Sequence, residues 1–259
     1  MNRAERKQLA KDDEKTLAQG LDPRSQDPRS IAATARQMHV LFERAKRPQY
    51  RSAGEIPLRQ SGRDLAPPRL KDLRVACRKG CAHCCHTWVS VTAPEVLFVA
   101  KTLRRRVDNP AENVRAANAL TKGYSFSVRA LHPTPCPMLK DEACSIYGLR
   151  PVTCRFAASP DAYLCARVLR ELSRETVPVP LNYLRGRGGY ELSIAMALNQ
   201  AGLPHYYYEL NAALTRALEH DDAERAWLGG EDVFAQIRRD PHDVFQDPPV
   251  PQMMQLAFG

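Results

Sequence analysis

The sequence predicts a mainly α-helical fold with irregular cysteine-rich loops and at most a short strand pair. Three observations support this prediction. Apolar residues recur at helical spacing in several segments that begin at capping residues. Prolines and glycines separate these segments, and all eight cysteines lie between Cys77 and Cys165. With 259 residues, of which 44% are apolar and 26% charged, the chain has the composition of a globular protein rather than that of a coiled coil or a disordered chain.

The N-terminal part is expected to form one helix and a linker. The first 26 residues are polar, and Asp27 and Pro28 then have the residue types of a helix cap and a first helical position. The apolar residues that follow at helical spacing are Ile31, Ala35, Met38 and Phe42. Residues 47–69 contain four prolines, two glycines and many charges, which predicts an irregular linker. We therefore expect residues 1–70 to be a polar N-terminal helix and linker.

The central part is expected to combine loops, a short strand and two helices. Residues 87–91 alternate in the manner of a strand. Thr92 and Glu95 then have the spacing of a capping box, which predicts a helix with one apolar face. A second helix is expected to start at Asn109-Pro110 and to end near Gly123. This region, residues 71–170, is predicted to be a cysteine-cluster metal-binding domain.

The C-terminal part is expected to be helical as well. Ser159-Pro160 is predicted to cap the helix that carries Cys165. Further helices are expected around 190–201, 205–219 and 222–238, with Gly229 and Gly230 as terminators. The last dozen residues contain Pro248, Pro249 and Pro251 and are predicted to be extended. Residues 171–259 would then form a helical extension packed on the cysteine-cluster domain.

The net charge of +9 is distributed unevenly along the chain. Residues 1–76 carry 17 basic and 10 acidic side chains, residues 77–170 carry 14 and 6, and residues 171–259 carry 7 and 13. A basic front half permits an anionic partner such as a nucleic acid, although no run of basic and aromatic residues supports one. The N-terminus lacks an apolar signal segment, and no apolar stretch approaches the length of a membrane helix. We therefore expect a cytoplasmic protein without membrane contact.

The cysteines form two groups with characteristic spacings. The first group is Cys77, Cys81, Cys84 and Cys85, and the second is Cys136, Cys144, Cys154 and Cys165. In a reducing compartment, clustered cysteines indicate metal ligands or redox groups rather than structural disulfides. Because metal-bound cysteine is a thiolate, such a site needs nearby cations, and Arg78, Lys79, Arg150 and Arg155 adjoin the cysteines in the sequence.

The spacing leaves the type of centre open. Eight thiols can fill two tetrahedral four-thiolate sites, or they can hold one four-iron cluster and leave four thiols over. Side chains of adjacent residues diverge, so Cys84 and Cys85 are expected to serve different metals, unless one of them bridges or stays free. His83, His86 and His132 could complete a mixed site, but we expect them at the surface or behind the ligands because enough sulfurs are present. No phosphate-binding loop, dinucleotide fingerprint or serine-hydrolase motif occurs.

Two blocks of the sequence match a known family pattern. Cys136-Pro137-Met138-Leu139 is followed, after four residues, by C-S-I-Y-G-L-R-P-V-T-C-R from Cys144 to Arg155. Together with the first cysteine group and the acidic helix start at Thr92 to Glu95, these residues resemble the YkgJ-type cysteine-cluster family, described as a putative zinc- or iron-chelating domain. The chain departs from the pattern in having three residues rather than two between Cys77 and Cys81. The resemblance covers roughly residues 77–156.

The resemblance implies a metal-binding protein that contains zinc or iron, with an iron–sulfur cluster as a further possibility. All eight cysteines are candidate metal ligands: Cys77, Cys81, Cys84, Cys85, Cys136, Cys144, Cys154 and Cys165. Cys165 lies beyond the resembling block and is either a ligand or a core residue. Some flagellin lysine methylases are similar in their cysteine region, so a metal-dependent enzyme is the alternative function. No catalytic residue is predicted.

Overall fold

The computed structural model describes residues 27–47, 75–78, 80–108, 110–173, 175–237 and 251–259. The expectations for residues 1–26 and for nearly all of the linker fall outside these ranges. Within them the chain forms ten α-helices and four short strands, which confirms the mainly α-helical fold. The division of the chain near residues 70 and 170 stays a prediction.

The helices are α1 (Pro28–Ala45), α2 (Ala93–Leu103), α3 (Ala111–Thr121), α4 (Phe126–Leu131), α5 (Val152–Phe156), α6 (Ala162–Glu171), α7 (Leu181–Gln200), α8 (Leu210–Glu219), α9 (Ala223–Leu228) and α10 (Pro251–Phe258). The strands are β1 (Ser90–Thr92), β2 (Leu139–Lys140), β3 (Ala143–Cys144) and β4 (Tyr207–Glu209). Two 3-10 turns span His83–His86 and Tyr147–Leu149. Among the described residues, no helix combines the length and the apolarity that crossing a membrane requires.

Helix α1 begins as its sequence predicts. The Asp27 side chain accepts a hydrogen bond from the Arg29 amide at 3.2 Å, and Pro28 occupies the first turn, where its missing amide hydrogen costs nothing. The predicted apolar positions Ile31, Ala35, Met38 and Phe42 are all buried. This face of α1 packs against α7, the long central helix.

Helix α7 is longer than predicted and lies at the centre of the fold. It starts at Leu181, directly after Pro180, and its residues from Gly188 to Leu198 are buried on all sides. The glycine-rich run at Gly186–Gly189 lies inside this helix, not in a loop. Gly186 faces the buried ring of Phe156 in α5, so a side chain at this position would contact the core.

Replacing Gly186 with alanine is expected to destabilise the protein by about 1 kcal/mol. Alanine in a helix interior is about 1 kcal/mol better than glycine. The added Cβ would, however, lie 2.7 Å from Cε1 of Phe156, and overpacking a core costs about 1–3 kcal/mol. Chemical denaturation measures the net effect. In a Phe156→Leu background the same substitution should be neutral or stabilising, and an equal loss in both backgrounds would contradict the steric explanation.

The antiparallel pair β1–β4 joins two distant parts of the chain. Ser90 pairs with Glu209, Val91 with Tyr208 and Thr92 with Tyr207. β1 leads directly into α2 and β4 into α8, so this pair also brings the two helices together. The prediction of helix for residues 205–209 was wrong, because aromatic Tyr207 and Tyr208 fit a buried strand. The strand expected at 87–91 lies slightly later, at 90–92.

The structure has a second strand pair, β2–β3, whereas the sequence predicts at most one. Leu139 pairs with Cys144 and Lys140 with Ala143, so two residues connect the strands. Asp141 and Glu142 have φ of 50° and 55°, which is the left-handed conformation that a two-residue hairpin turn requires. The hairpin sets the position of Cys144.

The C-terminal residues form helix α10, so the prediction of an extended end was wrong. The three prolines suggested an extended chain, but Pro251 occupies the first helical turn, where proline is well tolerated. Met253 and Ala257, four residues apart, are buried against α1. The Arg36 guanidinium donates to the carbonyl oxygens of Leu256 and Ala257 at 3.2 and 3.3 Å. Tertiary packing therefore fixes this helix.

Helix α9 is shorter than expected. It ends at Leu228, and Gly229 follows as the C-terminal cap, which confirms the predicted terminator. Residues 231–237 form turns rather than a continuation of the helix. Phe234 in this segment is buried against Tyr208, with ring centroids 5.0 Å apart.

Candidate metal centre

The first cysteine group lies on a tight loop that ends in a 3-10 turn. The Cys81 amide donates to the Arg78 carbonyl at 3.0 Å, and the Cys85 amide donates to the Ala82 carbonyl at 2.9 Å. Gly80 has φ of +85°, a conformation that residues with a side chain rarely adopt, so the loop needs glycine there. The turn His83–His86 carries both Cys84 and Cys85.

The second cysteine group is distributed over several elements. Cys136 precedes the hairpin, Cys144 lies in β3, Cys154 in α5 and Cys165 in α6. The helix that carries Cys165 is present as predicted, but its cap is Asp161 and not Ser159. The Asp161 carboxylate accepts a hydrogen bond from the Leu164 amide at 2.8 Å.

Backbone hydrogen bonds join the two groups. The Cys136 amide donates to the Cys85 carbonyl at 2.7 Å, and the Thr134 amide donates to the His86 carbonyl at 3.2 Å. Farther along, the Ala76 amide donates to the Ser159 carbonyl at 2.8 Å, which holds Cys77 close to the start of α6. Two stretches about fifty residues apart in the sequence thus converge in one region.

Two cavities adjoin the converging loops. The smaller has a volume of about 410 Å³, and the cysteines in its wall are Cys81, Cys84, Cys85, Cys136, Cys144 and Cys154. The larger has a volume of about 630 Å³, and the cysteines in its wall are Cys77, Cys81, Cys84 and Cys165. Every candidate ligand therefore lines at least one cavity, and two of them line both.

The sulfur atoms are not yet arranged as a metal site. All eight cysteines are free thiols, and no set of three histidine, cysteine, aspartate or glutamate side chains in the described ranges is grouped so that it could hold a metal ion. The donor chemistry nevertheless fits zinc or iron, because both favour thiolate ligands.

Burial favours the protonated form of two thiols in the smaller cavity, Cys136 and Cys154. It raises the pKa of Cys136 to about 11. Burial also raises the pKa of Cys154, the charges of Cys136, Cys84 and Cys144 raise it further, and Arg150 lowers it. A metal must therefore displace protons from these thiols when it binds.

Arg150 is a half-buried cation in the wall of the smaller cavity. Its guanidinium lies 3.8 Å from the centroid of the Tyr147 ring, and its Nε is buried without a hydrogen-bond partner in the described part of the chain. Its charge lowers the pKa of both Cys84 and Cys154, against larger effects that raise them. Arg150 is thus placed to compensate thiolate charge.

Arg155, which the sequence places beside the ligands, has a different role. Its Nε donates to the Arg150 carbonyl at 2.7 Å and its Nη2 to the Gly148 carbonyl at 2.8 Å. These bonds hold the 148–150 loop against α5. The side chain therefore orients the segment that presents Arg150. Arg78 is exposed at the wall of the smaller cavity.

Arg129 is a candidate site residue that the sequence analysis missed. It is only 2% exposed, and its guanidinium reaches the carbonyl oxygens of His132, Thr134 and Thr87 at 3.3, 3.4 and 3.5 Å. Its Nε has no partner within the described residues. Burial lowers the pKa of Arg129, while the nearby charges of Glu209 and Cys136 raise it. No local pattern marks an arginine in the short helix α4, so only its burial beside a cysteine identifies it.

Glu95 does more than complete the predicted capping box. Its Oε2 accepts hydrogen bonds from the Thr92 amide at 2.9 Å and the Thr92 hydroxyl at 2.8 Å, which confirms the box. Its Oε1 accepts from the Val152 amide at 2.8 Å. Burial raises the pKa of Glu95, and these hydrogen bonds lower it. One buried carboxylate therefore links the start of α2 to the start of α5, the helix that carries Cys154.

The histidines lie at the edge of the region. His83 and His86 are half-buried in the wall of the larger cavity, and Nδ1 of His86 is 3.2 Å from the Ala82 carbonyl. His132 is exposed, and its ring centroid is 5.6 Å from that of Tyr124. Their expected place outside the ligand set stays a prediction.

Comparison with known proteins identifies the cysteine region. Residues 76–171 match the family model CxxCxxCC, which is described as a putative zinc- or iron-chelating domain. The match confirms the resemblance and extends it to residue 171, so Cys165 lies inside the matched segment and not beyond it. Neither the curated proteins nor the solved structures give a significant match.

Proposed function

We propose that residues 76–171, which belong to the CxxCxxCC family, bind zinc or iron through cysteine thiolates, and that holding this metal is the molecular function of the chain. The proposed ligands are Cys77, Cys81, Cys84, Cys85, Cys136, Cys144, Cys154 and Cys165. The observation that carries the proposal is the wall of the smaller cavity, where six thiols from two distant stretches meet.

A bound metal would complete the link between the two cysteine loops. Zinc supplies a tetrahedral, redox-inert attachment point, and an iron–sulfur cluster supplies the same link with electron transfer in addition. The chain's own contribution is to hold the loops in place through the Cys136–Cys85 backbone hydrogen bond and to balance charge through Arg150. The proposed compartment is the cytoplasm, where the thiols stay reduced.

Metal analysis of protein purified without oxygen tests this proposal. We expect zinc or iron in stoichiometric amount, with a visible spectrum that distinguishes the two. A colourless protein with zinc indicates a structural centre, and a brown protein that bleaches on reduction indicates iron–sulfur. A Cys136→Ser/Cys154→Ser double variant should contain less metal than the wild type. Wild-type protein that contains neither element and takes up neither on reconstitution would end the proposal.

Arg150→Gln is expected to weaken metal binding about 10- to 100-fold, which is the usual effect of removing a group that supports metal ligands. The substitution removes the charge that faces Cys84 and Cys154. Competition with a chromogenic chelator measures the affinity. The matched control is Arg115→Gln on the exposed face of α3, which should bind metal like the wild type. Equal affinities for both variants would show that Arg150 does not compensate the thiolates.

A metal-dependent enzyme related to flagellin lysine methylases is the second candidate function. The observation that favours it is the larger cavity, whose mostly apolar wall beside Cys77, Cys81, Cys84 and Cys165 could admit a substrate to the metal. An iron–sulfur spectrum would favour this reading. Stoichiometric zinc in a colourless protein would favour the purely structural centre.

A further inference from the structure

The eight thiols divide into two sets according to the cavity that they line. Cys77 and Cys165 line only the larger cavity, whereas four other thiols line only the smaller one. These four are Cys85, Cys136, Cys144 and Cys154. Cys81 and Cys84 lie in the wall between the cavities and line both. The loops therefore form two thiol-lined spaces side by side.

We propose that the domain holds two separate metal centres, one formed by Cys77, Cys81, Cys84 and Cys165 and the other by Cys85, Cys136, Cys144 and Cys154. This inference rests on the proposed function and specifies the number of centres and their ligands. Each set has four sulfurs, the number that tetrahedral coordination of zinc or iron requires.

Contacts within the first set support its grouping. Ser159 links Cys77 to the start of α6, the helix that carries Cys165. The Ser159 amide donates to Sγ of Cys77 at 3.4 Å, and the Ser159 hydroxyl oxygen accepts from the amide of Asp161, the cap of α6, at 3.1 Å. An amide donor of this kind stabilises sulfur that carries negative charge. Helix α6 also packs against the turn His83–His86, which carries Cys84.

The second set is held together by the hairpin and the backbone. The Cys136 amide binds the Cys85 carbonyl, which fixes Cys85 beside Cys136. The Leu139 amide donates to the Cys136 carbonyl at 2.9 Å, and Leu139 pairs with Cys144 in the hairpin. The backbone therefore joins Cys85, Cys136 and Cys144, and Cys154 lines the same cavity from α5.

The adjacent pair Cys84 and Cys85 forms the boundary. Successive side chains cannot easily bind one ion, and these two differ in environment: Cys84 is exposed and lines both cavities, whereas Cys85 is half-buried and lines only the smaller one. Although Cys84 lines both cavities, the second set already has four thiols, so Cys84 completes the first.

Each cavity has an arginine in its wall. Arg150 lines the smaller cavity and Arg129 lines the larger one. A divalent ion with four thiolates has a net charge of −2, so two neighbouring centres repel each other unless cations lie nearby. Each proposed centre therefore has a cation beside it.

Titration of the metal-free protein with Co²⁺ tests the proposal, because thiolate-bound cobalt absorbs in the visible. We expect saturation at two equivalents in the wild type. Cys77→Ser/Cys165→Ser and Cys144→Ser/Cys154→Ser should each saturate at one equivalent. Wild-type saturation at one equivalent would overturn the two-centre inference and leave the proposed function standing. Absence of any cobalt, zinc or iron binding would overturn the proposed function itself.

A measurement on the wild type alone covers the case in which a variant fails to fold. Protein with one equivalent of Zn²⁺ is treated with a thiol-alkylating reagent and the protected cysteines are located by mass spectrometry of intact molecules. Each singly loaded molecule should protect one complete set of four. Molecules that protect a mixture from both sets, such as Cys77 with Cys144, would contradict the assignment.

Discussion

Removing the metal with a chelator is expected to lower the free energy of unfolding by about 4 kcal/mol, if the metal was present at a thousand times its dissociation constant. Metal that binds only the folded loops adds its binding energy to folding. The loops gain from this energy because short elements join them. The hairpin has two residues in each strand, and two backbone hydrogen bonds, from Cys136 to Cys85 and from Thr134 to His86, connect the two cysteine groups there.

Hydrogen exchange shows which part of the chain is destabilised when the metal is removed. Amides of residues 85–86 and 134–136, together with the hairpin, should lose protection first after chelation. The matched control is the contact between α1 and α10, which is built from apolar side chains and lies in a separate core cluster. Protection there should not change. Loops that keep their protection after the metal has been removed would show that the metal does not support this part of the fold.

Glu95→Gln is expected to lower the free energy of unfolding by about 3 kcal/mol, since a hydrogen bond to a charged group contributes about 1.5–3 kcal/mol and an unsatisfied buried donor costs about 1–3 kcal/mol. The carboxylate is 2% exposed and accepts from three donors. An amide has only one acceptor oxygen, so its NH₂ group would face either the Val152 amide or the two Thr92 donors. Chemical denaturation measures the loss.

Glu112→Gln is the matched control. Glu112 occupies the first turn of α3, as Glu95 does in α2, but it is exposed. Surface substitutions of this kind change stability by about 0.5 kcal/mol or less. Glu95→Gln should also weaken metal binding, because the Val152 bond holds the start of the helix that carries Cys154. A stability loss no larger than that of the control would mean that the link between α2 and α5 contributes nothing.

The helix starts that the sequence predicted correctly are determined by residues close to them in the chain. Asp27 with Pro28, and Thr92 with Glu95, act within one helical turn, so the residues near the helix start suffice to locate it. The predictions were wrong where contacts between distant parts of the chain determine the secondary structure. Tyr207 and Tyr208 form a strand because β1 is available to pair with them, and residues 251–258 form a helix because α1 covers Met253 and Ala257.

In the candidate site, too, some features follow from the sequence and others only from the fold. Residue types and spacing predict thiolate chemistry and name the eight cysteines, but spacing left two four-thiolate sites and one cluster equally open. The cavities separate Cys77 and Cys165 from Cys136, Cys144 and Cys154. Arg129 and the second hydrogen-bond partner of Glu95 also appear only in the folded chain. Neither has a local signal, because each depends on a contact between residues far apart in the sequence.

By itself, the sequence determined the helical class, the starts of α1 and α2 and the clustering of thiol donors in two groups, because caps, periodicity and side-chain type act over a few residues. The tertiary structure alone decided which thiols share a space, which cations face them and how the strands pair. These features depend on how the packing of α2, α7 and α8 positions loops that are tens of residues apart in the sequence. No local sequence pattern specifies which of those loops come together.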